Sequence, residues 1–567
     1  MKSTAEPSDL IDIQVSSERV VGEYHERTKH HFDRSAASLG YMDWATQPDP
    51  FRRYIGAEII RLPLPEEGQA LPYWQLYEIG SVAPAPLSVE SISLFFRYAL
   101  SVTAWKRFGD TTWSLRSNPS SGNLHPTEAY ALLPAIEQLS SNPGLYHYAP
   151  KEHALEQRAI LNSNWWAEVI APFAEGSFLA SLSSIHWREA WKYGERAFRY
   201  CQHDVGHALA TMRIAAAALG WRLVLLDYIS DDTISSFLGL NRDEGFGQAE
   251  REEPELLVLV TPQAPSLASC QLNSENNKPT SINSNALWLG TANVLSSKHE
   301  IDWPVIDEVA RATRRSDHAS ITEDLSGFPN HDELFRNPIR QSLLTAERAV
   351  LGRRSAVAMD GSTSISRETF FCMLARLIPT QERRSMPWDA ISWRPRIHLG
   401  LFVHRVDGIS PGLYVLVRDP GKLTILKEVM NRDFIWQSIP SCPSELPLFL
   451  LQEGDYRTTV SNISCGQDIA GDGAFSLGMI ADFKGSITKH GAAFYKNLFW
   501  EAGMVGQVLY LEAEEAGVRA TGIGCYFDDP VHEVFGISSR EWQSFYHFTV
   551  GGPVEDTRLT TLPAYGP

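Results

Sequence analysis

Residues 118–128 read NPSSGNLHPTE, with Ser120, Ser121, Gly122 and Asn123 set between Pro119 and Pro126. Two adjacent hydroxyls and an amide beside a glycine predict a polar turn, neither helix nor strand, whose donors and acceptors could grip a ligand. A second group, Arg353-Arg354-Ser355, sets two guanidinium groups, suited to bidentate contact with a phosphate, beside a hydroxyl. Standing alone it reads as a solvated helix start. Lys192 and Tyr193 place an amine next to a phenol, on a segment that also carries Glu195, Arg196 and Arg199 as a charged surface helix would. His203 and His207 have the i, i+4 spacing of metal ligands, but no third ligand is evident and they read as helix histidines. No metal site is expected. No G-x-S-x-G, H-E-x-x-H or P-loop occurs.

The elements that must position these groups come from a chain of 567 residues, long enough for two or more domains. Hydrophobic residues at 43% and charged residues at 21% suit a soluble globular protein. A net charge of −18 argues against nucleic acid or an anionic membrane as main partner. The amino terminus lacks the apolar core of a signal peptide, and runs such as LVLVTP are too short to cross a bilayer. Cysteines at 201, 270, 372, 442, 465 and 525 are scattered without a C-x-x-C pair. That pattern predicts reduced thiols in a cytoplasm, and neither a disulfide framework nor a zinc site.

The chain repeats itself. KYGERAFRYCQHDVGHALATMRIAAAALG from 192 aligns without a gap with KHGAAFYKNLFWEAGMVGQVLYLEAEEAG from 489, an offset of 297. Gly206 falls on Gly503, Gly220 on Gly517, Asp231-Asp232 on Asp528-Asp529 and Gly239 on Gly536. Earlier, GLYHYAPKEHAL at 144 matches GLYVLVRDPGKL at 412. Each copy reads as short strands, a long helix ending at Gly220 or Gly517, and a further strand, PELLVLVTP or SFYHFTVGGP. Between the copies, LNSENNKPTSINSN has linker composition and WPVIDEVARATRR reads as a short helix. Two α+β units joined covalently predict a fused homodimer with an isologous interface between the halves.

PSSGNLHPTEAY, KYGERAFRY…GHALATMRIAAAALG and GRRSAVAMDGSTSISRETF together resemble the FMN-dependent nitroreductase superfamily, in its SagB/ThcOx-type dehydrogenase branch, over roughly 85–262 and 345–553. The resemblance implies an α+β fold of two tandem nitroreductase-like domains, each a central antiparallel sheet with helices, forming a pseudo-dimer within one chain. The expected boundaries are an extension over 1–84, domains over 85–262 and 345–567, and a linker with a short helix over 263–344.

In that family FMN lies between two subunits. One offers an Arg-x-Ser-type motif and a late Gly-rich strand, and the other reaches across with the Pro-Ser-Ser-x-Asn loop. Here each half keeps one motif and loses the other. No Lys or Arg occurs from 62 to 96, where a first-half counterpart of Arg353-Arg354-Ser355 should lie. Shifting the loop by 268 lands Pro119 on Pro387 but Ser120-Ser121-Gly122-Asn123 on WDAI, 388–391. The resemblance therefore implies one complete FMN site and one lost. Arg353, Arg354, Ser355, Ser120 and Ser121 would serve the phosphate, Pro119 would belong to the reaching loop, and Asn123 would pair with the ring. Gly522 and Gly524 of TGIGC would let the backbone approach the ring without a Cβ. Two departures stand out. Val357 replaces a further basic residue, and HFTVGGP lacks the usual Lys or Arg, so the phosphate rests on the Arg pair or on a basic residue elsewhere.

The same branch implies a catalytic Lys-Tyr pair, here Lys192 and Tyr193, with the ammonium lowering the phenol's pKa. Lys489 and His490 hold the same register in the second copy. The expected activity is dehydrogenation of a small-molecule or peptide substrate, such as azoline to azole, with dioxygen reoxidising the flavin and other biosynthetic enzymes as possible partners. Two alternatives stay open: an NAD(P)H-dependent nitro or quinone reductase, and a non-catalytic scaffold binding a peptide or partner. GQDIAGDG (466–473) reads as a loop over the cleft, and Trp165, Trp166, Trp393 and Trp500 read as core.

Overall fold

The computed structural model describes residues 7–65, 71–78, 80–263, 282, 286–299, 301–316, 321, 323–330, 334, 343–381 and 385–566, with side chains from residue 16. Most of LNSENNKPTSINSN lies outside the described residues.

Two large sheets dominate. The first is built from Thr127–Leu133 (β1), Gly144–Ala149 (β2), Ala154–Leu161 (β3), Phe178–Ser184 (β4), Arg222–Leu225 (β5) and Glu253–Thr261 (β6), in the spatial order β3-β2-β1-β4-β6-β5. The second uses Ile397–Val403 (β7), Gly412–Leu416 (β8), Leu448–Glu453 (β9), Phe475–Asp482 (β10), Arg519–Ile523 (β11) and Trp542–Gly551 (β12), ordered β9-β8-β7-β10-β12-β11. The two orders are the same, and each of these neighbouring pairs is antiparallel. Strand periodicity feeds two cores at once. Ala129, Ala131 and Leu133 of β1 enter the large central core, while Tyr130 and Leu132 enter a satellite core with Trp165 and Trp166. In β7, Leu399, Leu401 and Val403 enter the same central core and Phe402 a second satellite. The central core is thus shared by both halves.

Its axis is a pair of 22-residue helices, Ala197–Ala218 (α1) and Phe494–Glu515 (α2). They cross at Gly206 and Gly503. A Cβ on Gly206 would collide with the Trp500 carbonyl oxygen, and one on Gly503 with that of His203, so the crossing requires both glycines. Ion pairs repeat the symmetry. Arg199 at the start of α1 reaches Asp528 at 2.7 Å, and Lys496 at the start of α2 reaches Asp231 at 2.7 Å. Arg196 and Arg199 hold the Asp528 carboxyl far below the usual range against its burial.

The extension, for which sequence offers no physical account, clasps this junction. The Tyr24 hydroxyl donates to the Glu195 carbonyl, the His30 amide to Asp528, and His25 meets Tyr495 and Gln543. Ile59–Arg61 pairs with the outer edge of β3, as does Ala286–Trp288. The short helix of WPVIDEVARATRR spans Pro304–Ala312. Near the carboxyl terminus, Thr560–Leu562 joins a hairpin of the first half, Val102–Phe108 and Thr111–Arg116. Among the described residues no helix is long and apolar enough to cross a membrane.

Candidate functional site

The Ser-Ser loop leaves the hairpin strand Thr111–Arg116 and turns through left-handed residues at Gly122, Asn123 and His125. Its hydrogen bonds include ones within the loop, back to the hairpin strand and to α1. The His125 amide donates to Ser120 Oγ at 2.7 Å, Asn123 Nδ2 to the Ser114 carbonyl at 3.0 Å, and the Ser121 amide and hydroxyl to Asp204 Oδ1 at 3.0 and 3.1 Å. Asp204 therefore fixes where the loop sits. Burial pushes its carboxyl up to about 7 against the loop's hydrogen bonds.

From the other half, the helix Ala346–Gly352 ends at Arg353. The buried Arg353 guanidinium donates from Nε to the Ser117 carbonyl and from Nη2 to the Arg116 carbonyl, both at 3.0 Å, while Nη1 has no hydrogen-bond partner. Arg354 Nη1 is occupied by the carbonyls of Leu351 and Arg353 and by Thr103 Oγ1. Ser355 Oγ lies 2.9 Å from the Tyr510 hydroxyl, which accepts the Gly522 amide at 2.9 Å. Burial pulls the Arg353 guanidinium's pKa down, and burial with repulsion from Arg353 pulls Arg354 down to about 10.

These elements enclose a cavity of about 500 Å³ between the halves, a size suited to a cofactor or small ligand. Pro119, Ser120, Ser121, Asn123, Arg353, Arg354, Ser355, Gly522, Gly524 and Tyr193 all line it. Lys192 does not; its Nζ lies over the Tyr193 ring, 5.2 Å from the centroid. A Cβ on Gly122 would meet the Tyr193 hydroxyl at 2.5 Å and Lys192 Nζ at 3.1 Å, so both side chains back onto the loop. Lys489 and His490 are elsewhere, engaged with Glu323 and Arg396.

One expectation needs correction. The phenol of Tyr193 is not lowered by its lysine. Burial raises it well above 10, and Glu189, Tyr200 and Asp204 raise it further. Gly522 and Gly524 line the cavity and also meet protein side chains, since a Cβ at either would collide with Tyr546 or Tyr200. The sequence reading also missed cavity residues. Lys106 and Arg116 come from the hairpin and Arg519 from β11, cations that no local motif announces. Asn118 Oδ1 is buried there without a partner, and Asp204 and His207 line the wall from α1. His203 stacks on Tyr546, and its Nε2 lies 2.8 Å from the Phe545 carbonyl. Gln467 of GQDIAGDG reaches the cavity, and the four tryptophans are buried.

The symmetry-related position is filled. Trp388 is buried beneath the Arg418 guanidinium, 4.2 Å from its ring centroid, and its indole N–H donates to the Arg376 carbonyl. Asp389 takes Arg213 at 2.7 Å and Arg222 at 3.1 Å. Those arginines occupy the register positions of Tyr510 and Arg519 in the cavity. Glu501, in the register of Asp204, accepts the amides of Arg396 and Ile397 and an ion pair from Arg418.

Asp204 carries a pH signature. Its folded pKa of about 7 exceeds the unfolded value near 4, so folding binds a proton between them. Stability from this group is fully present below about pH 4 and is lost as pH rises through about 7. Urea unfolding of the chain and of Asp204→Asn should diverge across that window by up to about 1.4 kcal/mol per pH unit, the wild type losing ground as pH rises. A pH-independent difference would contradict the assignment.

Two segments of the chain, 84–248 and 450–552, match the model of the nitroreductase family. A Methanocaldococcus jannaschii protein provisionally named a nitroreductase is 25% identical over 182 residues, 31% of this chain and 81% of the relative. A crystal structure from Anabaena variabilis, also provisionally described as a nitroreductase, covers 94% of this chain and 99% of its own with a TM-score of 0.66 at 22% identity. The fold is therefore that of two tandem nitroreductase-like domains. A chain of the E. coli microcin synthetase McbBCD complex with truncated pro-MccB17 bound covers 47% of this chain and 100% of its own at 16% identity, with a TM-score of 0.26.

Proposed function

We propose that the cavity binds one FMN per chain and that the protein is a flavin-dependent oxidoreductase. The specific reaction we propose is two-electron dehydrogenation of an amino-acid- or peptide-derived substrate, as in a SagB-type dehydrogenase. One observation carries the reading: the motif residues kept by each half line a single cavity, while the related position is packed with Trp388 and an Asp389 ion pair. The donor set fits an anionic cofactor. Arg353 Nη1 is a buried, unpartnered cation donor, Asn118 Oδ1 an unpartnered acceptor, and Lys106, Arg116, Arg354 and Arg519 add positive charge. Arg519 already pairs with Glu555, whereas the buried Arg353 Nη1 has no partner, a cost that a phosphate would offset.

Bound there, FMN would supply the two-electron acceptor. The chain's own residues handle position and protons. Tyr193, held protonated, can donate a hydrogen bond or proton from Oη into the cavity, and Asp204, with a pKa near neutrality, can accept one at its carboxylate. Lys192 steadies the phenol ring from behind the loop. The shared strand order supports descent by duplication, with units over 85–262 and 345–567, an extension over 1–84 and a connector over 263–344. The test is anaerobic. FMN-loaded protein mixed with an azoline-containing peptide should lose its visible flavin absorbance, and NADPH alone should not bleach it. Bleaching by NADPH without substrate would instead make the chain a nitro or quinone reductase.

A further inference from the structure

Cysteine spacing gave no hint of a pair, yet Cys465 and Cys525 lie with their sulfurs 2.8 Å apart. They come from different elements. Cys465 follows the helix Arg457–Ile463 in a left-handed turn with Gly466, and Cys525 follows β11 just beyond Gly524. Their segments are tied together independently of the sulfurs. Gln467 Nε2 donates to the Cys525 carbonyl at 2.9 Å and to that of Ser464 at 2.7 Å, and the Phe527 amide donates to the Ile463 carbonyl at 2.8 Å. The sulfurs are thus held in register by one backbone bond and by the Gln467 side chain. Cys525 is exposed and lines the cavity; Cys465 is half-buried and does not. Cys201, by contrast, is fully buried in α1.

We propose that Cys465 and Cys525 form a redox-active dithiol at the cavity wall that exchanges with small disulfide compounds, Cys525 attacking and Cys465 resolving. The Cys525 thiolate attacks one sulfur of a disulfide RSSR, a mixed Cys525–S–S–R bond forms, and RS⁻ leaves and takes up a proton. Cys465 then loses its proton, and its sulfur attacks Cys525 Sγ and expels the second RS⁻, which is protonated in turn. The balance is two protein thiols plus RSSR giving one protein disulfide plus two RSH. The roles follow from position and from proton sharing. The hydrogen bond with Cys465 pulls the Cys525 thiol down to about 7, where a thiolate is both abundant and nucleophilic, and the same contact pushes Cys465 up. The site does not depend on the flavin reading, because both sulfurs belong to the folded chain.

The test uses the full chain and oxidised glutathione. Of its six cysteines, two thiols should disappear, no glutathione should remain attached, and peptide mapping should recover a Cys465–Cys525 cross-link that dithiothreitol reverses. In Cys465→Ser the resolving step is gone, so one glutathione should stay on Cys525. The proposal is overturned if the wild type keeps glutathione on Cys525, loses no thiols, or bridges another pair. Because the wild-type measurement stands alone, poor folding of the variant would not protect the proposal.

Discussion

Replacing Tyr193 by phenylalanine is expected to leave the cofactor bound and the fold intact while slowing turnover by about 10²–10⁴-fold, the scale of a lost general acid or base. The change removes one oxygen that packs on Gly122 and lines the cavity. Burial and the acidic neighbours keep that phenol protonated through neutral pH, so its contribution is a donor's. Stopped-flow reduction of the bound flavin by substrate, run at matched flavin occupancy, separates the chemical step from binding. Lys489→Ala serves as the control, since Lys489 is engaged by Glu323 away from the cavity. Normal turnover in Tyr193→Phe alongside lost turnover in Lys489→Ala would move the chemistry to the second half's pair.

Arg353→Ala should weaken FMN binding by about 1.5–3 kcal/mol, or roughly ten- to 150-fold in Kd. The guanidinium joins two tasks. It ties the Arg116 and Ser117 carbonyls of the first half to the second, and it presents Nη1 without a partner. Thermal unfolding should therefore fall as well, since two buried carbonyls lose their donor. Trp388→Ala gives the opposite split. It opens a hole beside Arg418 and should cost about 3–5 kcal/mol of stability with FMN affinity unchanged. Equal losses of affinity in both variants would show that the open and filled positions are wrongly assigned.

The Ser-Ser loop and Arg353-Arg354-Ser355 were legible because their chemistry is concentrated in a few adjacent residues whose complementary loss shows on comparing the copies. The internal repeat was legible for a related reason: glycines at 206, 220, 503 and 517 keep their register, and helix crossing and helix termination both demand them there, whereas the strand order came only with the fold. Asp204 was not legible. It sits in QHDVGHAL as one polar residue of a helix, and only the fold buries it beneath Ser121. The phenol of Tyr193 was misjudged because sequence shows the adjacent lysine and hides Asp204 and Tyr200, which arrive from the next helix. Lys106 and Arg116 escaped notice on a hairpin with no motif, and Cys465 and Cys525 because 60 positions separate them. Local patterns report chemistry held by neighbours in sequence. Groups assembled across the junction of two halves leave no such mark.

A single flavin site assembled from both halves fixes how much flavin each chain can hold. Apoprotein titrated with FMN, followed by flavin fluorescence and checked by calorimetry, should saturate at one equivalent per chain. Buried Trp388 and the Asp389 ion pairs occupy the second position. Saturation at two equivalents of similar affinity, or no uptake of FMN, would contradict it.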